Sequence, residues 1–134
     1  MNKKHQNIIE TFVRNTLGCT CPDEIFDRID LQSSIPELSG DIRSLRLVLG
    51  NRLLVYLVAG LSNIVSSETL SPLVSCGVRD RDAHQLNRFR LVLLVPEDFE
   101  PMGIQLSFQS MSMVDERVHL HFVPNHDIRE PLRP

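Results

Sequence analysis

The stretch Leu53-Leu54-Val55-Tyr56-Leu57-Val58-Ala59 is an unbroken apolar run of strand length. A strand with one face in water alternates apolar and polar residues, so a run without alternation is covered on both faces. This segment predicts a central strand over 52–59 with packed layers on either side. Just before it, Leu45, Leu47 and Leu49 alternate with Arg46 and Val48, the pattern of another strand. Gly50-Asn51 joins the two as a hairpin turn, because glycine accepts the positive φ that two-residue turns require. The pair is expected to run antiparallel.

Spacing extends the reading to both sides. In residues 2–17, Ile8, Ile9, Phe12, Val13 and Leu17 fall on one helical stripe, and Gly18 is placed to end that helix. Pro22, Asp23 and Glu24 suit the first turn of a short helix over 22–30. Residues 1–30 therefore read as a helix hairpin and 31–41 as a linker. A helix over about 68–86, or one that starts later with Ser71-Pro72 as its cap and first residue, leads into a strand over 88–96. A β-helix-β unit of this length sets its strands parallel. Residues 97–114 read as a loop followed by a strand, on the alternation of Ile104, Leu106 and Phe108. The last strand covers 118–123, and 124–134 is a polar tail, frayed or clasped by a partner. The expectation is one α/β domain (α+β in a strict scheme) over residues 1–134. Its helix hairpin precedes a sheet-and-helix layer over 42–123, a mixed sheet of four or five strands with one main helix packed on it.

Composition matters for what it removes. Lys3 and Lys4 are the only lysines, both in the N-terminal tail. A P-loop needs a lysine behind its glycine-rich turn, and a Schiff-base enzyme needs one in a pocket. Neither G-x-x-x-x-G-K-[ST] nor G-x-G-x-x-G occurs. A net charge of -3, one Tyr and no Trp disfavour nucleic-acid binding, which draws on basic fields and stacking rings. No apolar run approaches the ~18 residues of a membrane span, and no signal-peptide apolar region follows Met1. Three cysteines, an odd number, fit a reducing compartment better than a disulfide scaffold. A cytoplasmic protein is expected.

Two constellations carry chemistry. Cys19-Thr20-Cys21-Pro22 stands at a predicted helix start, where amide N–H groups and the helix dipole lower a thiol pKa. The pair can close a small, readily reduced disulfide ring, or grip one soft metal. It can equally serve as a tight turn without chemistry. His119 and His121 are two apart on a strand and share a face. They can hold a metal with a third ligand, or simply blunt an edge strand. Cys19, Cys21, His119 and His121 together make a candidate Cys2His2 site. Arg79, Arg81, Arg88 and Arg90 can form an anionic-ligand patch, but Asp80 and Asp82 intervene, which favours a solvated face. Cys76 lies on the main helix and is expected to be buried.

The run Leu17-Gly18-Cys19-Thr20-Cys21-Pro22-Asp23-Glu24-Ile25-Phe26 resembles the L-G-C-x-C-P signature of a small uncharacterised prokaryotic protein family. Gly50-Asn51-Arg52-Leu53-Leu54-Val55-Tyr56 and Asn87-Arg88-Phe89-Arg90-Leu91-Val92-Leu93 are similar to it as well. The resemblance implies a folded domain with a non-random CxCP and carries no activity. Three functional readings follow from the residues. The first is association with a protein partner or a second copy, through helix 1 or the last strand, without a cofactor. The second is a thiol-redox protein using Cys19 and Cys21. The third is a zinc or iron protein using Cys19, Cys21 and one or both of His119 and His121.

Overall fold

The computed structural model describes residues 1–35, 37–38, 42–59 and 67–134. Five strands form one mixed sheet in the order β1 (Ile29–Gln32), β2 (Arg43–Leu49), β3 (Leu53–Ala59), β4 (Arg88–Val95) and β5 (Val118–Pro124). The apolar run is β3, central in the sheet, with every residue buried. Gly50 (φ 58°) and Asn51 (φ 55°) both adopt the left-handed conformation of a tight hairpin turn, and β2 and β3 pair antiparallel with Leu47 opposite Val55. β3, β4 and β5 run parallel, as β-helix-β connections require.

The period-two alternation of strands sorts the core onto two faces. On the first, Leu45, Leu47, Val55, Leu57, Val92 and Val123 meet Ile9, Phe12, Val13 and Leu17. These last come from α1 (Lys3–Thr11) and the wide helical turn Phe12–Thr16 that continues it. On the second face, Leu54, Tyr56, Val58, Phe89 and Leu91 meet α2 (Ser67–Ala83) and α3 (Met102–Gln109), through Leu70, Leu73, Val74, Ile104 and Phe108. The fold is α+β: a five-stranded mixed sheet with helices on both faces. Each fully buried Leu or Val stabilises it by roughly 1.5–3 kcal/mol.

Several local expectations change. The second helix of the hairpin is a short 3-10 segment, Asp23–Asp27. Arg28 is extended, and Ile29 and Leu31 pair with Leu49 and Leu47, so the sheet claims the rest as β1. That strand opens the segment read as a linker; residues 36 and 39–41 lie outside the described residues. So do 60–66, the loop before α2. Pro72 sits inside α2 rather than at its start. Residues 102–109 are helical, not a strand. Ile104 and Phe108, four apart, are buried, while Met102 and Leu106 are 73% and 60% exposed. The C-terminal segment is not a loose tail, because Ile128 and Leu132 are buried in the first core.

Candidate functional site

The site is assembled where the N-terminal helix ends against β4 and β5. Leu17 caps the helical turn, and Gly18 (φ 69°) reverses the chain in a conformation that glycine takes without strain. The Cys19 N–H bonds back to the Val13 carbonyl at 3.1 Å. Cys19 and Cys21 are then joined as a disulfide, their Cα atoms 5.3 Å apart. Arg14 clasps the turn. Its Nη1 donates to the Cys21 carbonyl at 2.9 Å, its Nη2 pairs with Asp23, and its Nε pairs with Glu10 at 3.2 Å. The same guanidinium lies 5.0 Å over the Phe26 ring.

Beneath this turn, Arg90 of β4 stands in register with His119 of β5, with His121 one step further along the same face. Arg90 Nη1 donates to the Leu17 carbonyl at 3.1 Å and approaches His121 Nε2 at 3.0 Å, where the unprotonated imidazole nitrogen accepts. Arg90 is only 9% exposed, yet among the described residues its Nε has no hydrogen-bond partner, and neither does the buried Nε2 of His119. No carboxylate among the described residues is paired with Arg90. Burial lowers its pKa, and the charge of Arg88 lowers it further. Burial, with Arg90 and His119 adding, pushes His121 down to about 4. Burial also lowers His119, aided by Arg90 and Arg88 against the Glu116 backbone and Asp115. Both histidines are therefore neutral at pH 7.

A cavity of about 390 Å³ joins these groups, lined by Cys19, Cys21, Arg52, Arg88, Arg90 and His119. Among the described residues lining it there is no Asp or Glu. Three of the four candidate residues from the sequence thus share one cavity, while His121 is engaged by Arg90. The helix-dipole argument for the thiols is corrected, because five residues of 3-10 helix supply little dipole. The positive field comes from arginines. Arg90 is not part of a solvated face, because it is buried, and Asp80 lies across the sheet; Arg88, half-buried, donates to the Glu116 carbonyl at 2.9 Å. The missed signal was alternation, since Arg90 shares its strand face with apolar Val92 and Leu94. No group of three or more His, Cys, Asp and Glu is gathered for a metal among the described residues.

A second polar cluster lies on the other face. Arg46 grips the Asp80 carboxylate through Nε and Nη2, each at 2.8 Å. The Tyr56 hydroxyl donates to the same carboxylate at 2.5 Å, and His84 Nδ1 lies 2.9 Å from it. Burial alone would push the Asp80 pKa up, but the bonds from Arg46 and Tyr56 outweigh it and hold it below its ordinary value. Cys76 is buried as expected. Burial and its bond to Glu37 push its thiol up to about 11, so it stays protonated. Comparison of the chain with protein-family models, curated proteins and solved structures gives no match.

Proposed function

We propose that the protein works by thiol–disulfide exchange at Cys19 and Cys21. The observation that carries this is the placement of their disulfide on a cavity lined by three arginines and a histidine. Cationic surroundings stabilise thiolate, which is both the attacking and the leaving form in exchange. An entering thiolate attacks one protein sulfur, the S–S bond breaks, and the other cysteine leaves as thiolate. A second thiolate then displaces the mixed disulfide. The balance is protein disulfide plus two thiols giving protein dithiol plus one external disulfide, a two-electron reduction of the protein. The odd cysteine count favours a cytoplasmic setting, where such a disulfide is turned over rather than stored.

The test counts reactive thiols in the native chain before and after equilibration with dithiothreitol. Cys19 and Cys21 are expected to appear on reduction and vanish on reoxidation, with buried Cys76 silent throughout. Two thiols that react at the rate of a free peptide cysteine, with no disulfide re-forming, would sink the proposal.

A second reading, association with a partner or a second copy, is favoured by an open groove of about 700 Å³ along α1. Apolar Ile8, Phe12 and Leu132 line it together with Lys3, Lys4 and Arg129. Light scattering that gives a monomer at all concentrations counts against self-association. Zinc or iron binding by Cys19, Cys21 and His119 first requires reduction of the disulfide, and metal content of the reduced protein decides it.

A further inference from the structure

We infer that the cavity beside the disulfide is an anion-binding site, and that the exchange partner is a small thiol carrying a carboxylate. This rests on the exchange reading for the identity of the partner, but the anion site stands on separate observations. Arg90 is nine-tenths buried and has an unpartnered Nε, and no carboxylate neutralises it among the described residues. A buried charge without a counter-ion is costly, so a native fold keeps one where something else supplies the charge. His119 lines the same cavity, and its Nε2 is also buried and without a partner among the described residues. Arg52 and Arg88 add two further guanidiniums to the lining. Guanidinium forks match the planar, two-oxygen geometry of a carboxylate.

The disulfide lies on the same wall of residues, so a carboxylate held by Arg90 and Arg88 carries its attached sulfur to Cys19 or Cys21. The carboxylate takes no part in the bond changes. It raises the local concentration of the correct thiol, and the exchange proceeds with the balance given above. About 390 Å³ accommodates a small thiol of this kind.

The experiment measures reduction of the oxidised full chain by 3-mercaptopropionate, 2-mercaptoethanol and cysteamine, with rate constants expressed per thiolate. At low salt the anionic thiol should exceed the neutral one by about tenfold, with the cationic thiol slowest. The preference should collapse in about 1 M salt, where charges are screened within a few ångströms. Arg88→Gln and Arg52→Gln should each reduce it severalfold, while leaving the buried Arg90 and its bond to the Leu17 carbonyl in place. Equal rates for all three thiols at low salt would overturn the inference. Reduction by none of them removes the exchange reading alone. The anion site is then decided by calorimetric titration of succinate into the Cys19→Ser, Cys21→Ser chain. Binding that weakens in Arg88→Gln supports it, and no binding overturns it.

Discussion

Arg46 and Arg90 sit on opposite faces of the same sheet, both largely withdrawn from water, with contrasting surroundings. Arg46 meets the Asp80 carboxylate through two nitrogens, and Tyr56 and His84 complete the carboxylate's shell. Arg90 meets a carbonyl and a neutral imidazole, and its Nε meets no partner among the described residues. The first cluster also lines a cavity of about 390 Å³, but there the Asp80 carboxylate of α2 matches the Arg46 charge. The second opens on a cavity that holds the disulfide. A fold that can compensate one buried arginine fully has no general need to leave another without a counter-ion. That contrast separates a structural ion pair from a site that awaits a ligand.

The largest effect that tests it is Asp80→Asn. Removing one partner of a mostly buried pair strands the other, at a cost of about 3 kcal/mol, read by urea denaturation. A loss below about 1 kcal/mol would reduce the Arg46 cluster to an ordinary surface bridge.

Acid should separate the two clusters. His121 titrates at about 4 in the fold against an ordinary 6.5, so between these values the unfolded chain binds a proton that the fold refuses. Stability from neutral His121 is complete above about pH 6.5 and is lost as pH falls to 4. The loss is about 2–3 kcal/mol. Asp80 is held below 3.8, so its contribution is present above that pH and is lost only beneath it. His121→Gln should flatten the upper window and leave the lower one; an unchanged upper slope contradicts the assignment.

Arg90→Met should cost about 1 kcal/mol or less despite its deep burial. It removes two hydrogen bonds to neutral groups and with them the uncompensated charge. A loss as large as that of Asp80→Asn would mean that Arg90 is structural in the same sense as Arg46. The smallest effect belongs to His84→Ala at the exposed rim of the Arg46 cluster, below about 0.5 kcal/mol by thermal melting.

How legible each region was in the sequence follows the same division. The β3 run, the Gly50-Asn51 turn and the parallel β4 were readable because burial on both faces and tight turns leave local signatures. The helix α3 was not, since Ile104, Leu106 and Phe108 fit a period of two as well as four-residue spacing. The exposed Leu106 supplied the false strand signal. Ile128 and Leu132 looked like isolated apolar residues in a polar tail, and only tertiary packing gives them a core to join. In the site, the CxC turn and His119 were visible as types and spacings. Their convergence was not, because it depends on the helix end docking on β4 through the Leu17 carbonyl. Arg90 was visible too, but it read as part of a solvated face because arginine in a strand ordinarily faces water.

The most direct measurement is the melting temperature of the oxidised chain as succinate replaces chloride at constant ionic strength. A ligand that binds only the folded state raises stability by mass action. The account predicts a rise of about 3 °C or more for the native chain. It predicts little or none for the Arg52→Gln, Arg88→Gln variant. An unchanged melting temperature in the native chain, or the same rise in the variant, would contradict it.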